Sequence, residues 1–282
     1  MSGIPPTTLL RCALSALLIS LPCGWLRAEP PAGYELVWKD EFDGAELDPA
    51  KWTAQSAPRK GAQNTPDAVT VRDGVMTITT WTANGTHFTG FVRSIGKFET
   101  TYGYFEARIR FHTTPGEWGA FWLTSRSIGK PLGDVARAGA EIDIIEHRAV
   151  YGVGNGAGND ARNLMAMALH WDGYGEAHKS QGHPGGLARG APPLQDHWHK
   201  YALLWTPERY VFYLDGKEQW NTNVAVSQRP EFILLTCEVQ DKGWAGAVPE
   251  GGFGGREESR TKMEIDWVRV WQEPASPAPV KP

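Results

Sequence analysis

The sequence predicts an all-β domain of the sandwich or jelly-roll type, and three observations lead to this prediction. After residue 33, short segments in which apolar and polar residues alternate recur along the chain. Glycine, proline and aspartate separate these segments, and no apolar pattern with the period of a helix continues beyond two turns. The length of 282 residues is compatible with a single domain, because all-β sandwiches of about 200–250 residues are common.

The individual elements follow from local patterns. Residues 210–220 are predicted to form a hairpin around Asp215-Gly216, and Arg72-Asp73-Gly74 a second tight turn. Residues 150–163 and 172–197 carry little strand pattern and are expected to be loops. The segments predicted as half-buried strands are 75–80, 104–111, 164–170, 201–205 and 263–271.

Both ends of the chain carry signals that lie outside this domain. Arg11 precedes an apolar run of roughly ten residues that is too short to span a bilayer and is typical of a signal peptide. Residues 1–28 are predicted to be this signal, residues 33–273 the folded domain, and residues 274–282 a proline-rich tail. We therefore expect a secreted or periplasmic protein without a membrane span, with a lipoprotein anchor at Cys23 as the alternative.

Composition narrows the function classes. The net charge is only -4, which does not suggest the clustered basic surface of a nucleic-acid binder. The 13 tryptophans indicate either a large core or stacking platforms for sugar rings. Cys237 lies in an apolar run and is expected to be a buried small hydrophobe. Nothing in the composition calls for a second chain, and we expect a monomer.

Three acids interrupt an apolar strand in Glu141-Ile-Asp-Ile-Ile-Glu146. In a regular strand Glu141 and Asp143 share one face and Glu146 points away, but a β-bulge would return Glu146 to that face. The Glu141 and Glu146 backbones would then lie about 13 Å apart, and a concave sheet would have to bring the carboxyl groups to the ~5–5.5 Å of a retaining glycosidase. The residues alone leave open a Ca²⁺ site or a solvated strand face.

This cluster resembles the active-site signature of glycoside hydrolase family 16 in its bulged form. The flanking segments resemble the family in the same order along the chain. The resemblance implies a concanavalin A-like jelly roll of two curved antiparallel sheets with an open cleft. It also implies a retaining hydrolase that cuts inside a β-glycan chain. The segments that carry the resemblance begin at Leu36, Gly103, Gly116, His197, Val211 and Met263.

The resemblance also implies roles for single residues. Glu141 matches the nucleophile, Asp143 an assisting acid and Glu146 the general acid/base. No cofactor is implied for catalysis, and a structural Ca²⁺ is implied at Asp266, with backbone near Glu41 and Gly74. The side chains expected to bind the polysaccharide are Trp118, Trp122, His170, Asn64 and Trp244.

Departures from the family pattern leave the substrate open. Residues 61–69 keep only Asn64 of the pattern that is usual in β-1,3-glucanases, and residues 238–246 and 170–174 also differ from it. A β-1,3- or mixed-linked glucan and a β-galactan are therefore both compatible with the sequence. A transglycosylase and a catalytically silent carbohydrate-binding protein of the same fold are the alternatives to a hydrolase.

Overall fold

The computed structural model describes Met1 and residues 30–151, 159–187 and 191–274. The predicted signal peptide and nearly all of the predicted tail lie outside the described residues. The described helices are a 3-10 turn, Pro66–Ala68, and a short helix α1, Val135–Ala138. None of the helices in these described ranges is long and apolar enough to cross a membrane.

Strands make up most of the described structure. In chain order they are β1 (Glu35–Asp40), β2 (Thr53–Ala54), β3 (Ala57–Arg59), β4 (Ala62–Asn64), β5 (Val69–Arg72), β6 (Val75–Thr79), β7 (Trp81–Ala83), β8 (Thr86–Thr89), β9 (Phe91–Arg93), β10 (Glu99–Thr100), β11 (Gly103–His112), β12 (Glu117–Ser125), β13 (Glu141–Arg148), β14 (Val150–Tyr151), β15 (Asn159–Asp160), β16 (Leu164–Trp171), β17 (Lys179–Gly186), β18 (His199–Trp205), β19 (Tyr210–Leu214), β20 (Lys217–Thr222), β21 (Glu231–Val239) and β22 (Lys262–Gln272).

Two large antiparallel sheets contain most of these strands and confirm the predicted all-β jelly roll. The back sheet has the order β20-β19-β18-β11-β22-β6-β5, with β1 also paired to β22. The front sheet has the order β17-β16-β13-β12-β21-β9-β2, with β10 also paired to β21. Some neighbours in the front sheet, such as β12 with β21 and β9 with β2, are far apart in sequence, so this sheet brings together residues from most of the domain.

The hydrophobic core includes side chains from both sheets. On β11 of the back sheet, Phe105, Ala107 and Ile109 are fully buried, and on β12 of the front sheet so are Phe121 and Leu123. Their spacing of two residues sends one set of side chains from each strand into this core. Burial of each large apolar side chain contributes about 1.5–3 kcal/mol, which makes this layer the main source of stability.

The two tight turns predicted from Asp-Gly pairs are both confirmed. Asp73 and Gly74 join β5 to β6 with φ angles of 53° and 75°, and Asp215 and Gly216 join β19 to β20 with 48° and 79°. A two-residue hairpin turn of this hand needs positive φ at both positions, which Asp and Gly tolerate.

The expectation of a loop over residues 172–197 is wrong for Lys179–Gly186. This segment forms β17, an edge strand of the front sheet that pairs with β16. Residues 179–184 are all exposed, so the strand shows no apolar alternation. An edge strand also tolerates Pro184, because a residue that lacks an N–H can face away from the neighbouring strand. The composition of an exposed edge therefore hides this strand from pattern analysis.

One buried acid generates a prediction about stability. Burial raises the pKa of Glu117, at the start of β12, from its ordinary 4.5 to about 8. The folded chain therefore binds this proton more tightly than the unfolded chain, and its contribution to stability falls as pH rises from about 4.5 towards 8. Between pH 5 and pH 8, the midpoint temperature of thermal unfolding should fall less for Glu117→Gln than for the wild type.

Thermal unfolding at these two pH values measures the effect. The exposed Glu250 supplies the control substitution Glu250→Gln, which should leave the wild-type pH dependence unchanged. Burial also raises the pKa of Glu231 to about 8. Because Glu231 is unchanged in the Glu117 variant, that variant should keep part of the decrease in stability with pH. An identical pH dependence in all three proteins would contradict the prediction.

Candidate active site

The acidic strand β13 contains the β-bulge expected from its sequence. Against β12, Phe121 pairs with Ile145 and Trp122 pairs with Asp143, so Ile144 is an extra residue without a partner in this register. Ile144 and Ile145 are both fully buried in the core. A regular strand would send one of these two apolar side chains to the opposite face. The bulge therefore keeps both in the core.

The other neighbour of β13 shows the same shift. Asp143 pairs with Ala168 of β16, and Glu146 pairs with Ala166, so three steps along β13 match two steps along β16. The extra step returns Glu146 to the face that carries Glu141 and Asp143.

All three acids line one cavity of about 490 Å³ on the front sheet. This volume lies in the range of about 300–1,000 Å³ that is typical of ligand sites. Strand β12, next to β13, and strand β21, on the other side of β12, contribute every second residue to the cavity, as expected for one face of a sheet. These residues are Trp118, Ala120, Trp122 and Thr124 of β12 and Phe232, Leu234, Thr236 and Glu238 of β21.

Burial controls the proton affinities of the three acids. The pKa of Glu146 is raised well above its ordinary value by burial, and further by the charges of Asp143 and Glu141. The pKa of Asp143 is likewise raised well above its ordinary value by burial and then by the charge of Glu141. Burial raises the pKa of Glu141 too, but a hydrogen bond from Tyr174 and the nearby His170 act in the opposite direction. These two contacts favour the ionised form of Glu141.

His170 lies beside the acids, at the end of β16 next to β13. Its Nε2 atom is 3.4 Å from Oδ2 of Asp143, and its Nδ1 atom is 3.0 Å from Nε2 of His178. One ligand atom each from Glu141, Asp143 and His170 lie within 4.8 Å of one another. In the described ranges this is the one trio of such side chains that is close enough to hold a metal ion. A cation bound there would occupy two of the three clustered acids, Glu141 and Asp143.

Tyr174 is a site residue that the sequence analysis did not identify. Its hydroxyl donates a hydrogen bond to Oε2 of Glu141, although its side chain is 64% exposed. The loop that carries Tyr174 is anchored by Asp172, which accepts hydrogen bonds from Gly133 N at 2.7 Å and from Lys179 Nζ at 2.8 Å. The contact depends on how this loop folds over β13, and no local pattern reports it.

Cations and one further acid complete the cavity wall. Glu238 is buried and forms ion pairs with Arg59 at 2.9 Å and Lys60 at 3.2 Å. The Lys60 ammonium also lies 4.5 Å from the ring centre of Trp118. Arg93 lines the same cavity, and its buried Nε donates to no acceptor in the described structure. Glu238 was not predicted as a site residue, although an acid near the end of an apolar strand is a usable signal.

The residues predicted to bind substrate fall into two groups. Trp118 and Trp122 line the cavity, and Trp122 Nε1 donates to Thr236 Oγ1 at 3.0 Å. Trp244 lies against Trp118 with ring centres 5.7 Å apart, just outside the residues that line the cavity. Asn64 is only 1% exposed and does not line the cavity. The structure therefore brings the predicted tryptophans together but does not bring Asn64 to them.

The residues predicted to hold calcium have other partners. Asp266 Oδ2 accepts a hydrogen bond from Arg108 at 2.5 Å, and Glu41 accepts two from the Arg269 guanidinium at 2.8 Å. Gly74 lies in the turn between β5 and β6. The predicted site uses the Asp266 carboxylate, which is paired with Arg108 in this arrangement, and backbone near Glu41 and Gly74. Calcium at this position stays a prediction, and no step of the chemistry depends on it.

An antiparallel jelly roll with carboxylates clustered on a bulged strand, beside a floor of aromatic residues, defines a glycoside hydrolase domain of family 16. Residues 37–273 match the family model described as the β-porphyranase A–D, GH16 domain. The chain belongs to this family, which confirms the resemblance seen in the sequence.

Individual relatives have modest sequence identity. A β-glucanase from Rhodothermus marinus is 28% identical, with 92% of each chain covered. β-Porphyranase B from Phocaeicola plebeius is 25% identical over 86% of this chain and 87% of its own length. The solved structure of porphyranase B from Zobellia galactanivorans has the same fold, with a TM-score of 0.67 and 24% identity over 85% of this chain and 92% of that one. Other curated relatives are longer, and the chain spans 38%, 56% and 46% of three of them.

The hydrogen bond between Tyr174 and Glu141 generates a prediction about pH dependence. This bond lowers the pKa of Glu141, so Tyr174→Phe should raise that pKa. If Glu141 must be ionised to react, the acid limb of the kcat/KM profile should move to higher pH, while the alkaline limb should stay in place.

Initial rates on one polysaccharide between pH 4 and pH 9 provide the measurement. Tyr213→Phe is a suitable control, because Tyr213 is a half-buried tyrosine on β19 of the back sheet that does not line the cavity. A uniform loss of activity by the Tyr174 variant, with both limbs unmoved, would contradict this role.

Proposed function

We propose that this protein is an endo-acting, retaining β-glycosidase that hydrolyses internal bonds of a sulfated β-galactan of the porphyran type. The observation that carries the proposal is the clustering of Glu141, Asp143 and Glu146 on one face of β13, in a cavity floored by Trp118 and Trp122. Membership of the β-porphyranase A–D family supports the choice of substrate.

The proposed reaction uses the three acids in different protonation states. Glu141, whose ionised form is favoured by Tyr174 and His170, attacks the anomeric carbon and forms a covalent glycosyl-enzyme. Glu146, whose raised pKa keeps it protonated, gives its proton to the glycosidic oxygen as the bond to the leaving sugar breaks. Glu146 then accepts a proton from water, which attacks the intermediate and releases the sugar with its original configuration. Asp143 stays protonated and assists Glu141.

We also propose that this chemistry needs no cofactor, because the carboxyl groups supply both the nucleophile and the transferred proton. Polysaccharides are too large to enter a cell intact, which fits the export signal predicted at residues 1–28. The protein is accordingly proposed to act as a secreted or periplasmic monomer.

The charge of the cavity wall supports a sulfated substrate. Three cations, Arg59, Lys60 and Arg93, line the cavity together with the acids. Glu238 is shared by two of them, so the wall keeps positive charge that a neutral glucan would not use. A guanidinium presents paired donors that match the oxygens of a sulfate ester.

A neutral β-glucan is the second candidate substrate. The similarity to the β-glucanase from Rhodothermus marinus favours it, and an aromatic floor can stack on either sugar. Transfer to a sugar acceptor and binding without turnover remain the competing activities, and they differ in their products.

Substitution of the catalytic acids tests the mechanism. Glu146→Gln should lower kcat on polysaccharide by about 10²–10⁴-fold, because the leaving oxygen loses its proton donor. The loss should be much smaller on an aryl glycoside, whose leaving group needs little protonation. Glu141→Gln should abolish turnover of both substrates and retain glycan binding. Equal losses on both substrates for the Glu146 variant would contradict its role as acid.

Product analysis tests the substrate. Porphyran, chemically desulfated porphyran, agarose, laminarin and mixed-linked glucan would be compared as substrates, with NMR of the first product formed. We expect internal cleavage of porphyran, a β-anomeric product and lower kcat/KM on the desulfated polymer. Preferred cleavage of laminarin would show that the substrate is a glucan and not a galactan. Products larger than the added substrate would indicate transglycosylation. Binding of the polysaccharide without release of sugar would indicate a catalytically silent protein.

A further inference from the structure

Arg148 is a half-buried cation at the end of the catalytic strand. It lies two residues beyond Glu146, on the same face of β13, and pairs in register with the cavity residue Trp118. Its Nε and Nη1 atoms are buried and donate to no acceptor in the described part of the chain. Burial lowers the pKa of Arg148 to about 10, which still leaves the guanidinium charged at neutral pH. A buried charge with unused donors is costly unless an acceptor is bound.

Aromatic rings hold this guanidinium in place. Its central carbon is 3.6 Å from the ring centre of Trp244 and 5.9 Å from that of Tyr151. Trp244 in turn meets Trp118 edge-on, with ring centres 5.7 Å apart. Stacking on a ring face orients the plane of the guanidinium and leaves the N–H donors at its edge without an acceptor.

Arg148 also differs from the cations of the cavity wall. Arg59 and Lys60 share the carboxylate of Glu238, and their charge is partly neutralised before any ligand binds. Arg148 has no such ion pair among the described residues. An anion that reaches Arg148 therefore displaces no carboxylate.

We propose that Arg148, oriented by Trp244, binds a sulfate ester on the sugar of the leaving group. This inference rests on the proposed function. Glu146 protonates the leaving oxygen, so the leaving sugar must lie next to it, and Arg148 is two strand steps further, roughly 7 Å along β13. A sulfate ester on the leaving sugar can span this distance between the glycosidic oxygen at Glu146 and the guanidinium of Arg148. On either outer edge of the planar guanidinium, one unused donor lies beside Nη2, and such an edge gives two parallel hydrogen bonds to a sulfate.

Variants of Arg148 test the inference on native and desulfated porphyran. Arg148→Met should lower kcat/KM on the sulfated polymer by about ten- to a hundredfold, the value of hydrogen bonds to a charged group. Its kcat/KM on the desulfated polymer should stay at the wild-type level. Arg148→Lys keeps the positive charge but lacks the paired N–H donors of the guanidinium, so its loss of kcat/KM on the sulfated polymer should be intermediate. If the Met variant does not fold, the Lys variant provides the test. Arg256 supplies the control Arg256→Met, because it lies 5.3 Å from the Trp81 ring and does not line the cavity.

The outcomes separate this inference from the proposed substrate. Equal losses on both polymers would mean that Arg148 only supports the fold, and would overturn the inference. A wild-type preference for sulfate that survives in Arg148→Met would overturn it as well, while leaving the proposed substrate intact. A wild type that does not prefer the sulfated polymer would overturn both.

Discussion

The extra residue in strand β13 is the constraint on which the active site depends. Two adjacent isoleucines, Ile144 and Ile145, are both buried in the core, and a regular strand cannot bury neighbouring side chains on one face. The bulge solves this conflict, and its consequence is that Glu146 shares a face with Glu141 and Asp143. The drive to bury apolar surface thus places three acids together, at a distance where each changes the proton affinity of the others.

Such crowding has an electrostatic cost, which the surrounding structure turns into chemistry. Three acids in one half-buried cavity cannot all be ionised at low cost, because burial and mutual repulsion both favour the neutral form. The contacts differ from acid to acid. Glu141 accepts a hydrogen bond from the exposed Tyr174, whereas Asp143 and Glu146 have their pKa raised well above the ordinary value. Unequal surroundings of this kind separate a nucleophile from a proton donor.

The front sheet supplies the rest of the site through its neighbours. Strand β12 sets Trp118 and Trp122 beside the acids, and β21 adds Glu238, which holds two cations of the cavity wall. The family match extends over residues 37–273, while named relatives include both a β-glucanase and β-porphyranases at 25–28% identity. The shared fold therefore accommodates different polysaccharides, and the charged side chains around the acids are the features that can discriminate between them.

The fold class and the placement of three acids on one face of a strand could be predicted from the sequence, because both depend on local patterns. Period-two alternation predicted the sandwich, and the spacing of the three acids indicated that a bulge would be needed to place Glu146 beside Glu141 and Asp143. The edge strand Lys179–Gly186 could not be predicted in this way, since an exposed edge carries no apolar alternation. Asn64 was assigned to substrate from its sequence context alone, and its burial in β4 away from the cavity depends on packing between distant segments.

Local patterns in the sequence were sufficient to predict the alternating strands, the two Asp-Gly turns and the acidic strand β13. Three contacts could be seen only in the folded structure. They join Tyr174 to Glu141, Glu238 to its two cations, and Arg148 to Trp244. Each of these contacts joins segments that are 33 to 179 residues apart or that lie on different strands and loops. Alternation of apolar and polar residues shows only on which face of a strand a side chain lies. Which side chain it contacts depends on how the whole chain folds, because that decides which distant segments become neighbours.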